Sequence, residues 1–154
     1  MLATAGALQP KRVLCLHGRG NRASSFLAQS IVPLQQTSAA GLWEFEALNS
    51  PDPSGSWWTY PKGQRSFSAD IYFGDVQSIA LVEERLASGE FSGLLGFSQG
   101  AMLAAIVAAR AVLGESDPRV SSNLKFAVVC SAALPAPHRP LFERLRAHGG
   151  ASSL

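Results

Sequence analysis

Short apolar runs alternate along the chain with segments of helical periodicity. A largely apolar run without polar alternation, such as residues 12–16, is typical of a strand buried on both faces of a parallel sheet. Strands are predicted at 12–16, 43–48, 91–97 and 125–130. Helices are predicted at 26–36, 75–87, 99–113 and 140–146. This alternation predicts an α/β fold, a mostly parallel sheet flanked by helices.

Three of the predicted helices have informative patterns. Pro33 should disturb the helix over 26–36, because proline removes a backbone donor. The helix over 99–113 is apolar almost all round, so we expect it to be buried and to end at Gly114. Asp75 lies near the start of the helix over 75–87, where a carboxylate suits the helix dipole. One apolar face of that helix is predicted to comprise Val76, Ile79, Val82 and Leu86.

A long aromatic segment, residues 56–74, interrupts this regular pattern. It shows little periodicity, and we expect it to cross the top of the sheet as a loop. Long irregular loops in compact domains are often functional. Trp57 and Trp58 are candidate substrate-binding residues of an acyl or aromatic pocket, and pinning the loop to the core is the alternative.

Composition restricts the class of protein. The chain has 154 residues and a net charge of +2, which gives no basis for a nucleic-acid or membrane surface. Cys15 and Cys130 lie in apolar runs, and two buried thiols favour a reducing, cytoplasmic location. Residues 1–10 lack the features of a signal peptide, and no span of a bilayer is expected. We predict a tail at 1–10, a core at 11–137, and a short C-terminal helix and tail at 138–154.

A serine lies between two glycines where the third predicted strand meets the following helix. The run Gly96-Phe97-Ser98-Gln99-Gly100 matches the Gly-x-Ser-x-Gly pattern of a nucleophile elbow. In such an elbow the serine occupies a sharp, strained turn, and the helix directs its positive end at developing negative charge. We therefore predict Ser98 as a catalytic nucleophile. A structural serine in a glycine-rich turn is the alternative.

A second motif follows the first predicted strand. Acyl transfer needs two backbone N–H donors to stabilise the oxyanion. Gln99, directly after the serine, is expected to supply one of them, and a loop after an early strand the other. We predict Arg19 as the second donor and His17 as a structural residue that holds this loop. A tight turn that needs only Gly18 is the alternative. No metal or cofactor is expected.

The same loop permits a different interpretation. Residues 18–23 fit the Gly-x-Gly-x-x-Gly/Ala fingerprint of dinucleotide-binding proteins, with Glu44 or Glu46 as the ribose-binding acid. Asn21 and Arg22 are bulky where a pyrophosphate must approach, and the serine elbow stays unexplained. Dinucleotide binding is therefore the least favoured hypothesis.

Three segments together resemble the FSH family of serine hydrolases. They are the run Val13 to Gly18, the run Ser56-Trp57-Trp58 and the run Gly93 to Ala101. The resemblance covers about residues 11–135 and implies an α/β-hydrolase fold acting on a small-molecule ester or related acyl substrate. The elbow is near-identical in acyl-protein thioesterases and carboxylesterases, and the Trp-Trp loop favours the FSH family.

The resemblance also implies residue roles. Ser98 matches the nucleophile, and Gln99 and Arg19 match the positions of the oxyanion donors. The family places its catalytic acid and histidine after two further strands, so we expect this chain to lack the usual last strands and those two residues. The acidic residues and histidines in its last third are Glu115, Asp117, Glu143, His138 and His148.

Two functional hypotheses remain besides dinucleotide binding. In the first, the chain is a serine hydrolase of the carboxylic ester type, with activity reduced because the catalytic acid and histidine are missing. In the second, it is a non-catalytic module of the same fold that binds an acyl ligand or a partner chain. The strand over 126–130 is expected at or near the sheet edge. An uncovered apolar edge favours self-association unless the C-terminal helix covers it.

Overall fold

The predicted strands form one parallel sheet. A computed structural model describes residues 11–37 and 42–151. The strands are β1 (Lys11–Leu16), β2 (Trp43–Leu48), β3 (Gly93–Phe97) and β4 (Phe126–Cys130), in the order β2-β1-β3-β4. Neighbouring strands are parallel throughout, so their carboxyl ends meet at one edge of the sheet. The predicted α/β architecture is confirmed.

Helices connect these strands and cover the sheet. They are α1 (Ala23–Phe26), α2 (Val32–Thr37), α3 (Asp75–Ala87), α4 (Gln99–Val112), α5 (Pro118–Asn123) and α6 (Arg139–Ala151). A π-helical turn joins α1 to α2, and a 3₁₀ turn (Ala136–His138) leads into α6. Within residues 11–37 and 42–151, no helix combines the length and apolar character needed to cross a bilayer.

The central strand β1 is buried on both faces. Successive side chains of a strand point to opposite sides, so β1 contributes to two apolar clusters. Val13 and Cys15 pack with Phe26 of α1 on one face. Leu14 and Leu16 join the larger cluster, which α3, α4 and α6 complete on the other face. Burial on both faces is what an apolar run without alternation predicts.

The predicted disturbance at Pro33 takes the form of a π-helical turn. Residues Leu27–Ile31 adopt π geometry directly before α2, and α2 continues through Pro33. Proline has no N–H and crowds the carbonyl one turn earlier, so a wider turn relieves that contact. The helical segment therefore runs through the proline.

Two C-terminal helices differ from prediction. Helix α5 was not predicted, although Asp117 accepts a hydrogen bond from the Arg119 N–H at 2.8 Å and Pro118 occupies the first turn. An N-cap followed by proline is a helix-start signal, and six residues were too few to show periodicity. Helix α6 continues to Ala151, beyond the predicted end at 146. Glycine weakens a helix without necessarily ending it.

Two residues predicted to be buried are exposed. Val76 is 69% exposed because it lies at the margin of the apolar face of α3, whose other three predicted residues are buried. Cys130 is exposed because β4 pairs with β3 on one side and, among the strands the structure describes, has no partner on the other. Val128 and Val129 of this edge strand are 39% and 44% exposed.

Candidate active site

Ser98 occupies the tight turn between β3 and α4. Its backbone has φ 53° and ψ −117°, and a positive φ is rare for a residue with a side chain. The Ser98 N–H donates to the Cys130 carbonyl at 3.0 Å, and the Ser98 carbonyl accepts from the N–H groups of Ala101 and Met102. Hydrogen bonds to β4 and to the first turn of α4 thus hold the strained conformation in place.

The two glycines of the elbow allow backbone segments to come very close. A Cβ added at Gly96 would lie 2.3 Å from the carbonyl oxygen of Gly100. A Cβ added at Gly100 would lie 2.4 Å from the carbonyl oxygen of Leu16. Helix α4 therefore begins directly against the ends of β1 and β3, which gives the spacing of the motif a steric cause.

The loop after β1 borders the serine. A Cβ built on Gly18 would lie 3.4 Å from the Cβ of Ser98, and Arg19 is the next residue. The structure thus brings Ser98, Gln99 and the Gly18-Arg19 segment together at the carboxyl edge of the sheet. The roles of the Gln99 and Arg19 N–H groups as oxyanion donors stay predictions.

His17 fixes this loop from inside the protein. Its side chain is fully buried, its Nδ1 lies 2.8 Å from the Gly18 carbonyl oxygen, and its Nε2 lies 3.2 Å from the Ser50 nitrogen. Because the Ser50 N–H is a donor, Nε2 must accept, and the proton of the neutral ring belongs on Nδ1. Burial lowers the pKa of His17, with a smaller contribution in the same direction from the charge of Arg22. These contacts give His17 the structural role predicted for it.

Stability should fall in mild acid because of His17. The ring takes up its proton at a lower pH in the folded protein than in the unfolded chain, where it does so near pH 6.5. Lowering the pH from about 7.5 to 5.5 should therefore reduce the free energy of unfolding in urea. The His17→Asn variant should lack this part of the pH dependence, because the other titratable groups are the same in both proteins. An identical pH dependence of the two proteins would contradict the assignment.

The side chain of Gln99 has a role that the sequence analysis missed. Gln99 is 3% exposed; its Oε1 accepts from the Trp57 N–H and its Nε2 donates to the Trp58 carbonyl, both at 2.9 Å. One amide therefore pairs two main-chain groups of the aromatic loop and fastens the loop to the start of α4. A polar residue at the head of an otherwise apolar, buried helix was the signal for this contact.

Both tryptophans of the loop are deeply buried. Trp57 and Trp58 are each 1% exposed. The Trp57 indole N–H donates to the His17 carbonyl at 2.8 Å, and Ser78 of α3 donates its hydroxyl to the Trp57 carbonyl. Both residues border a cavity of about 230 Å³ beside α3. These contacts pin the loop to the core, and contact with substrate stays a prediction for both residues.

His138 forms a hydrogen bond with Asp75 that the sequence did not reveal. Its Nε2 lies 2.9 Å from Oδ2 of Asp75, at the start of α3. Burial alone would raise the pKa of Asp75, but the hydrogen bond and charge of His138, with nearby backbone N–H groups, hold that pKa below its usual range. His138 thus links α3 to the turn before α6. The described contacts assign neither His138 nor His17 as a base for Ser98.

Known proteins place this arrangement in a family. The family model described as "Serine hydrolase (FSH1)" matches residues 6–148. The chain belongs to the FSH1 serine hydrolase family. The resemblance of the elbow, the His-Gly loop and the Trp-Trp segment is thereby confirmed at the level of family.

Proteins similar to this FSH1-family chain include several named esterases. Esterase C25G4.2 of Caenorhabditis elegans is 35% identical, with 82% of this chain and 62% of that protein covered. Esterase FPY3 of Fusarium mangiferae is 33% identical, with 80% and 58% covered. The crystal structure of esterase PE8 has a TM-score of 0.61 at 25% identity and covers 96% of this chain and 66% of that one. The chain thus spans about three fifths of the length of the Caenorhabditis elegans and Fusarium mangiferae esterases.

The dinucleotide-binding interpretation finds no support in this site. Gly20 donates its N–H to the Gly55 carbonyl at 2.8 Å, so the loop packs on a neighbouring turn. Glu44 and Glu46 lie within β2 and both form ion pairs with Arg12. Neither carboxylate stands at the carboxyl end of its strand, where a ribose-binding acid is found. The family match favours the hydrolase interpretation instead.

Proposed function

We propose that this FSH1-family chain carries the nucleophile site of a carboxylic ester hydrolase, with Ser98 as the nucleophile. In the proposed first step Ser98 Oγ attacks the acyl carbonyl and a general base takes its proton. The bond from the acyl carbon to the alcohol oxygen then breaks, the alcohol leaves with that proton, and the acyl group stays bonded to Ser98. The N–H groups of Gln99 and Arg19 hold the oxyanion, and water then releases the acyl group. The substrate class is a small-molecule ester or related acyl compound.

The strained turn at Ser98 carries the proposal. A non-glycine residue at φ 53° is held here by main-chain hydrogen bonds, and it places a half-buried serine at the start of a buried helix, where the helix dipole favours an anion. The proximity of Gly18 to Ser98 supports a second donor from the next residue. Strain in a folded protein persists where the surroundings impose it, and it concentrates at functional sites.

A fluorophosphonate probe tests whether Ser98 is an activated nucleophile. We expect the wild-type chain to become labelled and Ser98→Ala to remain unlabelled. Ser92→Ala is the matched control, since Ser92 precedes β3 and lies at the opposite end of that strand. Circular dichroism checks that all three proteins are folded. Folded wild-type protein that takes up no probe, or labelling that survives in Ser98→Ala, would contradict the proposal.

A non-catalytic module is the alternative outcome of that experiment. It is favoured if the folded wild-type chain takes up no probe yet binds an acyl compound. None of the described histidine contacts assigns a base to Ser98. An unactivated serine hydroxyl is a poor nucleophile at neutral pH, which gives the non-catalytic outcome a physical reason. Even then, binding and oxyanion donors would leave some residual acceleration.

We also propose that the chain self-associates through β4. Its outer edge carries half-exposed valines, and open apolar edges favour strand pairing. Sedimentation at increasing protein concentration should show association that Val129→Lys reduces. Val76→Lys is the matched control, because Val76 is 69% exposed and lies on α3, not on the sheet edge. A monomer at all concentrations would contradict this prediction.

The two free cysteines support the proposed cytoplasmic location.

A further inference from the structure

A basic pocket lies beside the loop that borders Ser98. Its volume is about 420 Å³. Its lining residues are Arg19, Tyr60, Pro61, Lys62, Gly63, Gln64 and Arg65. Three of these side chains are cationic, and Arg19 is the residue whose backbone N–H is the proposed second oxyanion donor. One residue therefore contributes its main chain to the proposed site and its side chain to this pocket.

The guanidinium of Arg19 is held in a defined position. It donates to the Tyr60 hydroxyl at 2.8 Å, and its central carbon lies 5.2 Å from the centre of the Tyr60 ring. A hydrogen bond together with a cation–π contact limits the freedom of a long side chain. Arginine fixed in this way presents its remaining N–H donors to a ligand with little further loss of entropy.

The rest of the lining, residues 61–65, lies in hydrogen-bonded turns. The Gln64 N–H donates to the Pro61 carbonyl at 3.1 Å, and the Ala69 N–H donates to the Arg65 carbonyl at 2.8 Å. Ala69 is fully buried, and the Tyr72 hydroxyl donates to the Ser66 carbonyl. These bonds anchor the loop that carries Lys62 and Arg65, so the pocket exists before any ligand arrives.

The side chains that line the pocket give it an excess of positive charge. In the part of the chain that the structure describes, none of Arg19, Lys62 and Arg65 forms an ion pair with a carboxylate. Asp70 accepts a hydrogen bond from Gln64 at 3.4 Å and is the acidic group of this loop. Three cations against one carboxylate leave a concave surface with an excess of positive charge, which concentrates anions.

We propose that this basic pocket binds an anionic oxyacid group, a carboxylate or a phosphate, of the molecule whose acyl carbon reacts at Ser98. The inference rests on the proposed function. The side chain of Arg19 lines the pocket and its backbone N–H is the proposed oxyanion donor, so the length of one arginine side chain separates the anionic group from that donor. Arginine and lysine are the side chains that recognise carboxylate and phosphate oxygens. The substrate class thereby narrows from any ester to an ester or thioester with an anionic group on the portion that reaches Lys62 and Arg65.

The catalytic test compares two 4-nitrophenyl esters of equal carbon number. The glutarate half-ester ends in a carboxylate, and the pentanoate is neutral. We expect a higher kcat/KM for the half-ester at low salt, and the ratio should decrease as ionic strength rises. The double variant Lys62→Gln/Arg65→Gln should lower this ratio about three- to tenfold, as expected for losing two solvent-accessible charge contacts.

The control removes the same kind of charge from the far side of the sheet. Lys125 is exposed and directly precedes β4, so it lies at the amino edge, opposite the carboxyl edge that carries Ser98. Lys125→Gln should leave the ratio of the two kcat/KM values unchanged. Equal ratios in Lys125→Gln and in the double variant would overturn the proposal.

A binding arm separates this inference from the proposed catalysis. Glutarate and inorganic phosphate are titrated separately into Ser98→Ala and followed by amide chemical shifts. Saturable shifts at Arg19, Lys62 and Arg65, lost in the double variant, support the pocket and show which oxyacid it prefers. If neither ester is hydrolysed but these shifts occur, the proposed function fails and the pocket stands. If the esters are hydrolysed but neither anion binds, the pocket fails and the proposed function stands.

Discussion

Replacing Gly100 by alanine should destabilise the fold by about 3 kcal/mol or more and abolish fluorophosphonate labelling at Ser98. The new Cβ would lie 2.4 Å from the Leu16 carbonyl oxygen and 2.5 Å from the His17 carbonyl oxygen. Both atoms belong to backbone at the end of β1, which cannot swing away as the tip of a side chain can. Helix α4 must therefore move, and the turn that strains Ser98 moves with it.

Gly149→Ala is the matched control for that change. Both positions lie in helices, but a Cβ at Gly149 would meet nothing within 4 Å. Alanine is a better helix former than glycine by up to about 1 kcal/mol, so the control should be neutral or slightly more stable. Urea denaturation measures both variants. Equal stabilities of the Gly100→Ala and Gly149→Ala proteins would contradict the close approach of α4 to the backbone at the end of β1.

Replacing Gln99 by leucine should cost about 2–6 kcal/mol of stability. The change keeps the size of the side chain but removes both of its hydrogen bonds. The Trp57 N–H and the Trp58 carbonyl would then be left unpaired in the interior. Each buried polar group without a partner costs about 1–3 kcal/mol. The variant also keeps its backbone N–H at position 99, so a fall in labelling would report displacement of the aromatic loop.

Gln36→Leu provides the comparison for Gln99→Leu. Gln36 is an exposed residue of α2, and its replacement should change stability by less than about 0.5 kcal/mol. Thermal or urea unfolding gives the two values, and near-ultraviolet circular dichroism reports the packing of the tryptophans. Equal stabilities for the two leucine variants would mean that the amide of Gln99 is dispensable.

The features that local sequence encodes were predicted well. Apolar runs mark the strands because a strand such as β1 must bury both faces, and the glycines at 96 and 100 mark the turn because backbone atoms meet there. The position of Ser98 at the head of α4 follows from the same short motif. The sequence predicted a mostly parallel sheet but not the order of its strands, which the structure shows to be β2-β1-β3-β4.

Contacts between distant residues were not predictable in the same way. Gln99 and Trp57 are 42 positions apart, and His138 and Asp75 are 63 apart. A single sequence gives no sign that such pairs meet, because glutamine and aspartate are mostly found on surfaces and neither indicates a distant partner. The predicted burial of Cys130 was wrong although its strand was expected at or near the edge, because an apolar run does not show how much of an edge strand other elements cover.

The hydrogen bond from Ser98 to Cys130 has a consequence for the working lifetime of the site. Cys130 is the last residue of the edge strand, and edge strands separate from a sheet at a lower free energy than its centre does. Fraying of β4 would free the Ser98 amide and relax the turn while β1 and β3 remain paired. On warming, loss of probe labelling at Ser98 should then precede global unfolding. Hydrogen exchange at the Ser98 amide should be slow and should occur at the rate at which β4 opens. Any surface that covers this strand would prolong the lifetime of the strained turn, and with it the proposed reactivity, without contacting the serine.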